Sequence, residues 1–213
     1  MVKLDIISDP VCPWCYIGKS YLDRALEKAG DHPFVIEWHP FMLNPDMPPE
    51  GMNRGEYLEK KFGDRKRVAD MLVSLQEHAA TAGVTMNLEG QTHQPNTLDA
   101  HRLIHWAGLE QKQTPMVSAI FKAHWVDARR IDDHDVLVEL AEALDMDGAV
   151  TRRLLAGDAD KDLIMERYQH SGKMGVNSVP TFIIANQHAV PGAQPVELWD
   201  RVIADIREQL ADA

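Results

Sequence analysis

The sequence predicts an α/β fold that is interrupted by a long helical insertion. Three observations lead to this class. Residues 1–41 alternate between a strand pattern, a helix pattern and a second strand pattern. The middle of the chain repeats apolar residues at helical spacing, and two short apolar runs near the C-terminus precede a final helix pattern. Strands at both ends with helices between them indicate a sheet domain that carries an inserted helical unit.

The N-terminal pattern indicates two strands joined by a helix. Apolar and polar residues alternate over Val2–Ile7, and apolar residues at helical spacing follow over Tyr16–Ala29. Gly30 and Pro33 end this helix, and a second alternating run covers Phe34–Phe41. A strand, a crossover helix and a second strand predict a parallel pair.

The inserted segment begins after a linker, residues 44–49, that contains three prolines. Successive helix patterns follow without a convincing strand, and Asp158 is predicted to cap the next helix. Phe182–Ala185 and His188–Val190 predict a β-hairpin, because Asn-Gln forms a turn between two short apolar runs. The predicted division is a sheet domain of residues 1–44 and 158–213 and an all-helical domain of residues 45–157.

Composition and charge exclude several classes of partner. The 213 residues include 22 basic and 33 acidic side chains, which gives a formal net charge of −11. Nucleic acids and anionic membranes need a clustered basic surface, so neither is expected as a partner. No apolar run reaches the length of a transmembrane helix, and no secretory leader is recognisable. The expectation is therefore a cytoplasmic protein.

The two cysteines of the chain lie in one motif, Cys12-Pro13-Trp14-Cys15, between the first strand and the first helix. A C-x-x-C dithiol at such a junction is typical of thiol–disulfide exchange. An inert core pair and half of a zinc site are the alternatives. Zinc would need two further ligands and no second cysteine pair exists, so no metal is predicted.

The position of the two thiols assigns their roles. Cys12 lies at the helix N-terminus, where unpaired N–H groups and the helix dipole favour an anion, and only the thiolate attacks a disulfide. Cys12 is therefore the predicted nucleophile. Cys15 lies one turn further along, is expected to be more buried, and is predicted to resolve the mixed disulfide.

Five segments, taken together and in order, resemble the DsbA family of thioredoxin-fold oxidoreductases, and within it the FrnE-like branch. The segments are Ser8–Gly18, His39–Pro45, Asn96–Leu103, Gly175–Pro180 and Gly192–Pro195. The resemblance implies a thioredoxin-like fold with an inserted all-helical domain. Some FrnE-like proteins carry an additional cysteine pair near the C-terminus, which this chain lacks.

The resemblance also implies roles for residues near the cysteines. Pro180 matches the family's cis-proline, which packs opposite the active disulfide, and proline makes a cis bond accessible. The backbone of Val179 would then be able to pair with an extended peptide. Trp14 stands where the best-known periplasmic members carry histidine, so a less oxidising couple is expected. Trp14, Val179 and Phe41 are the predicted substrate-binding residues.

Three further residues are candidates for a chemical role. His101 and His105 are four apart on one predicted helix, but Arg102 stands where a zinc protease motif would have glutamate. Chance explains that spacing in a chain with ten histidines. Glu37 is the predicted buried acid beneath the cysteines, by analogy with the acid that assists proton transfer in some thioredoxin-fold proteins.

The predicted function is thiol–disulfide exchange through Cys12 and Cys15, with a thiol or disulfide protein, or glutathione, as substrate. No cofactor is predicted beyond the cysteine pair, although glutathione is a candidate co-substrate. A monomer and a homodimer both remain open. One alternative is a glutathione-dependent isomerase or transferase of the 2-hydroxychromene-2-carboxylate isomerase and kappa type, whose members typically keep serine in place of Cys12. A second alternative is a chaperone-like peptide binder without enzyme activity.

Overall fold

The computed structural model describes residues 1–212, which form a mixed sheet, a short two-stranded sheet and helices around them. The strands are β1 (Val2–Ser8), β2 (Phe34–Pro40), β3 (Met52–Asn53), β4 (His93–Gln94), β5 (Thr181–Ile184) and β6 (His188–Pro191). The helices are α1 (Pro13–Ala29), α2 (Arg54–Phe62), α3 (Arg65–Ala82), α4 (Leu98–Leu109), α5 (Gln113–Trp125), α6 (His134–Glu142), α7 (Gly148–Ala156), α8 (Lys161–Lys173) and α9 (Val196–Ala211). Within residues 1–212, no helix combines the length and the apolar character that a membrane span requires.

The main sheet has the strand order β2-β1-β5-β6. β1 and β2 are parallel, with Val2 opposite Phe34 and Ser8 opposite Pro40. The hairpin of β5 and β6 is antiparallel, and β5 pairs antiparallel with β1. The predicted thioredoxin-like α/β fold with a helical insertion is confirmed. Because β1 is central, the loop that leaves its C-terminal end, where the cysteines follow, is supported on both sides.

One continuous apolar core joins the sheet to the inserted helices. Leu4 and Ile6 of β1 are buried together with Trp199 of α9 and with Leu103 and Ile120 of the insertion. The indole N–H of Trp125, the last residue of α5, donates a 2.9 Å hydrogen bond to the carbonyl of Pro10. The insertion therefore braces the loop that carries the cysteines. The predicted domain division stays a prediction.

Three boundaries differ from the sequence-based expectations. The segment predicted to be purely helical contains the β3–β4 pairing, whose two-residue strands are too short to show an alternating pattern. The sequence pattern also predicts a helix end at Gly108, but Gly108 lies within α4. α8 begins at Lys161, with Asp160 as its N-cap, and not after Asp158. In the turn that precedes α8, the carbonyls of Gly157 and Ala159 accept hydrogen bonds from Arg102.

His124 is a buried histidine of α5 that should make the fold sensitive to acid. It is 2 % exposed, and burial followed by the positive charge of Arg54 lowers its pKa from 6.5 to about 3. The folded protein keeps this imidazole neutral, whereas the unfolded chain protonates it below pH 6.5. The unfolded state then binds more protons, so the free energy of unfolding falls as the pH falls from 6.5 towards 3.

We expect this histidine to remove about 1.6 kcal/mol of stability between pH 6.5 and pH 5. Urea unfolding of the wild type and of His124→Gln at both pH values measures the effect. The pH-dependent loss should be smaller in His124→Gln by that amount. His188→Gln, at an exposed position on β6, should retain the wild-type loss. Equal losses in all three proteins would contradict the assignment.

Candidate active site

The two cysteines lie at the N-terminus of α1, directly after β1. Cys12 is the N-cap residue and Pro13 is the first helical residue, where its missing N–H leaves no helical hydrogen bond unmade. The Cys12 N–H donates to the carbonyl of Asp9 (2.9 Å), and the Cys15 N–H donates to the carbonyl of Cys12 (3.1 Å). The C-x-x-C motif is therefore held as the first turn of a helix, with both side chains as free thiols.

Cys12 is more enclosed than the sequence indicated. Cys15 is 1 % exposed, as expected for the inner thiol, but Cys12 is also buried, at 3 %. The Cys12 thiol donates a hydrogen bond of 3.5 Å to the carbonyl of Val179. The Cys12 side chain is therefore largely covered, and its sulfur lies beside residue 179.

The surroundings of the two sulfurs differ electrostatically. The N-terminal N–H groups of α1 favour negative charge at the position of Cys12. Burial, followed by the hydrogen bond and the charge of Cys12, raises the pKa of the Cys15 thiol well above its ordinary value. The N–H of Asp9 and the hydroxyl of Ser8 act in the opposite direction on Cys15, but more weakly. Cys15 is thus held as a protonated thiol until it reacts.

The segment before β5 forms the opposite wall of the site. The peptide bond between Val179 and Pro180 is cis. Close packing against α1 favours glycine at position 18, since a Cβ there would lie in tight contact, 3.1 Å from Cγ of Pro180 and 3.3 Å from Cα of Ala193. α1 can therefore bring Cys12 up to the carbonyl of Val179.

The predicted substrate-binding residues Trp14 and Phe41 are placed differently. Trp14 is 40 % exposed, and its ring meets His78 of α3 edge to face, with centroids 5.0 Å apart. Phe41 is half-buried against Tyr168, at a centroid distance of 5.6 Å. Its N–H donates to the carbonyl of Ser8 (3.0 Å). Trp14 is open to a partner, whereas Phe41 ties the loop after β2 to the cysteine loop.

The prediction that Glu37 is the buried acid beneath the cysteines is wrong. Its side chain is 35 % exposed and forms ion pairs with Lys3 (2.9 Å) and Arg167 (2.6 Å). Burial raises its pKa, but Lys3, His39 and Arg167 outweigh burial and the net pKa is lowered. The alternation of β2 could not reveal this, because it shows which residues share a face but not which face is covered.

Asp9 is the buried acid of the site, and the sequence reading missed it. It is fully buried, its Oδ2 accepts from the N–H of Leu43 (2.7 Å), and its Oδ1 accepts from the N–H of Val11 (3.4 Å). Its place three residues before Cys12 was the available signal. By its local pattern, Ser8-Asp9-Pro10 indicates only the end of a strand.

His101 also lies beside the cysteine loop. It is 4 % exposed, and its Nε2 lies 2.9 Å from the carbonyl of Phe41 and 3.8 Å from Oδ1 of Asp9. A carbonyl only accepts, so Nε2 carries the proton. His101 therefore faces the loop that supports the cysteines.

One group of potential metal ligands occurs in residues 1–212, consisting of Asp5, Glu37 and His39. The Lys3 amine lies 2.8 Å from Oδ1 of Asp5 and 2.9 Å from Oε2 of Glu37, and Arg167 holds the other Glu37 oxygen. These cations already neutralise the carboxylates. The group is best described as an ion-pair network on the face of the sheet.

The chain is similar to known proteins in both sequence and fold. Residues 3–204 match the DSBA-like thioredoxin domain family. The uncharacterized protein YwbO of Bacillus subtilis (strain 168) is 28% identical over 205 residues, which is 96% of each chain. The probable DsbA oxidoreductase SCO1869 from Streptomyces coelicolor is 26% identical, with a TM-score of 0.85 over 96% of this chain and 89% of that one.

A more distant structure shares the fold alone. The cytosolic disulfide reductase DsbM from Pseudomonas aeruginosa, solved with GSH, is 19% identical and has a TM-score of 0.68 over 98% of this chain and 99% of that one. The family match covers almost the whole chain, including both cysteines and the cis-proline segment. The chain therefore belongs to the DSBA-like thioredoxin domain family.

Proposed function

We propose that this protein is a thiol–disulfide oxidoreductase that exchanges disulfides through Cys12 and Cys15. One observation carries the proposal: two free thiols lie one helical turn apart at the N-terminus of α1, and the outer thiol contacts the carbonyl of Val179 beside the cis Pro180. The family match supports oxidoreductase chemistry in general. The identity of the substrate, a protein or glutathione, is part of the proposal.

Cys12 starts the reaction. Its thiolate, favoured by the N-terminus of α1, attacks one sulfur of the substrate disulfide. A bond forms between Cys12 and that sulfur, the substrate disulfide breaks, and the other substrate sulfur leaves as a thiolate. The carbonyl and N–H groups around Val179 are suited to align an extended substrate chain beside Cys12.

Cys15 completes the reaction. Its thiol loses a proton and attacks the Cys12 sulfur, the bond to the substrate breaks, and the second substrate thiol leaves. The substrate has gained two electrons and the protein holds a Cys12–Cys15 disulfide. The same steps in reverse oxidise a dithiol substrate. A resolving thiol is the feature that favours this chemistry over a glutathione-dependent isomerase or transferase, which needs none.

The enclosure of Cys12 favours slender substrates. At 3 % exposure, its sulfur is accessible to glutathione or to an extended peptide segment more readily than to a disulfide inside a folded protein. Trp14 stands between the two cysteines in the sequence, and its exposed side chain is suited to contact such a substrate. A cytoplasmic location forms part of the proposal, in line with the cytosolic disulfide reductase DsbM, which has this fold and was solved with GSH.

A trapping experiment tests the proposal. Cys15→Ser should accumulate a stable mixed disulfide at Cys12 when it is mixed with oxidised glutathione or a disulfide-containing peptide, because no resolving thiol remains. Wild-type protein should form the Cys12–Cys15 disulfide, and Cys12→Ser should form no adduct. Mass spectrometry under acid quench identifies each species. An adduct on wild-type protein that never resolves would contradict the proposal and favour the glutathione-dependent alternative.

A further inference from the structure

The connection between α2 and α3 carries a charge opposite to that of the rest of the protein. Residues 59–67 form this basic tip, which contains five basic and two acidic side chains and is exposed throughout. The tip has a formal charge of +3 and the whole chain one of −11, so the other residues carry −14. A local positive surface on an otherwise acidic protein favours a negatively charged partner.

Most cations of the basic tip are not neutralised by the protein itself. Among the ion pairs of residues 1–212, the tip contributes one, between Arg65 and Glu59 at 2.6 Å. Lys60, Lys66 and Arg67 take part in none of these ion pairs, and all three are exposed. A single exposed pair is weak, but several cations that face one partner act together. The tip can therefore bind acidic groups from outside the chain.

The start of α3 departs from the usual charge pattern of a helix N-terminus. Acidic side chains are stabilising there, and cations are unfavourable because of the helix dipole. The first turn of α3 nevertheless contains Arg65, Lys66 and Arg67 and no acidic residue, and Asp64 is its N-cap. The stability of α3 does not explain three successive cations at this end. Departures from such local rules are expected at functional sites.

One face of α3 connects the basic tip to the active site. The imidazole of His78 meets the indole of Trp14 edge to face, with centroids 5.0 Å apart, so this face borders the C-x-x-C motif. Met71 and Arg67 precede His78 by seven and eleven residues, and these spacings place all three on one face. At the rise of an α-helix, Arg67 lies about 16 Å from His78 along α3.

This distance restricts the kind of partner. An extended peptide advances about 3.3 Å per residue, so it needs about five residues to cover about 16 Å. We infer that the basic tip selects extended peptide substrates that carry acidic side chains about five or more residues from the reactive cysteine. The inference rests on the proposed function. The substrate cysteine meets Cys12 beside Trp14, the chain follows α3, and its acidic side chains bind at the tip. Glutathione is too short to reach the tip.

The test measures the attack of Cys12 on peptides that differ only in charge. Each peptide contains one cysteine in a disulfide with thionitrobenzoate. The Cys12 thiolate bonds to the peptide sulfur, the disulfide breaks, and thionitrobenzoate leaves as a thiolate that is followed by its absorbance. A run of glutamates, glutamines or lysines begins about five residues from the cysteine, and separate peptides carry it on the N-terminal or the C-terminal side.

Two triple variants with the same change in net charge distinguish the basic tip from the overall charge. The tip variant removes its unpaired cations: Lys60→Gln, Lys66→Gln and Arg67→Gln. The control variant removes exposed cations of α7, α8 and α9: Arg153→Gln, Lys173→Gln and Arg201→Gln. Two of the charges that the tip variant removes oppose the dipole of α3, so this variant should be at least as stable as the wild type. A thermal melt checks this expectation.

We expect the wild type at low salt to react about tenfold faster with one of the glutamate peptides than with its glutamine counterpart, and most slowly with the lysine peptide. The preference should vanish at about 1 M salt, where the Debye length is about 3 Å. The control variant should retain the wild-type ratio of the two rates, whereas the tip variant should react with both peptides at similar rates.

Three results would overturn this inference alone: equal rates for all peptides with the wild type, the wild-type ratio in the tip variant, or an equal loss of preference in both variants. Tighter binding of a short RNA than of the glutamate peptide would overturn the assignment of the partner as an acidic peptide. If the wild type released thionitrobenzoate no faster than Cys12→Ser from any peptide, the proposed function and this inference would both be overturned.

Discussion

Replacing Cys12 by serine is expected to reduce disulfide exchange to the uncatalysed background. A serine hydroxyl is not appreciably ionised at neutral pH and forms no mixed disulfide, so the first covalent step has no counterpart in this variant. Cys12 is the N-cap of α1 without a side-chain capping bond, and serine is a favourable N-cap residue. The fold should therefore be retained, and the loss of activity can be assigned to the sulfur.

Turnover of a disulfide peptide with reduced glutathione as electron donor measures this effect. A thermal melt that overlays the wild-type curve serves as the control for folding. Cys15→Ser should differ from Cys12→Ser in one respect, since it retains the first attack and loses only resolution. Full activity of Cys12→Ser on a glutathione-linked reaction would contradict the account, because the isomerase and transferase alternative typically operates with serine at this position.

Replacing Arg102 by methionine is expected to lower the free energy of unfolding by about 3–5 kcal/mol. The guanidinium group is fully buried in α4 and lies 5.0 Å from the centre of the Trp106 ring. It donates to Oδ1 of Asp99 and to four carbonyls that end α7 and form the turn before α8, those of Leu154, Leu155, Gly157 and Ala159. Methionine fills a similar volume but leaves these buried acceptors without a donor.

Urea denaturation of Arg102→Met and the wild type measures the difference. Arg152→Met is a matched control, because Arg152 forms an exposed ion pair with Asp135, in which the two side chains are 54% and 74% exposed. Pairs of this kind contribute between zero and about 1 kcal/mol. Comparable losses in the two variants would show that the network around Arg102 is not the main support of the α7–α8 connection.

The sequence alone predicts those elements whose signal lies within a few neighbouring residues. The alternation in β1 and β2 and the proline at the start of α1 predicted features that the structure contains. The cis bond before Pro180 was implied by the family resemblance and is also present. The C-x-x-C spacing alone placed both thiols in the first helical turn. These features depend on neighbours within a few residues, which the sequence displays directly.

The residues that support the cysteines could not be predicted in the same way. Asp9 is buried because the N–H of Leu43, 34 residues away, binds its carboxylate. His101 reaches the same loop across 60 residues, through the carbonyl of Phe41. Burial of Cys12 likewise depends on Val179, 167 residues further along the chain. Long-range contacts of this kind follow from the tertiary packing and leave no periodic signal in the sequence.

The most direct test of the account is a redox titration of the wild-type protein in glutathione buffers, read by acid trapping and mass spectrometry. We expect one two-electron transition between the dithiol and the Cys12–Cys15 disulfide, with the glutathione adduct at Cys12 never dominant, because Cys15 lies within reach of it. Trp14 in place of histidine should make the couple less oxidising than in the periplasmic members. A protein that ends as a stable glutathione adduct, or that keeps two free thiols at every buffer ratio, would contradict the account.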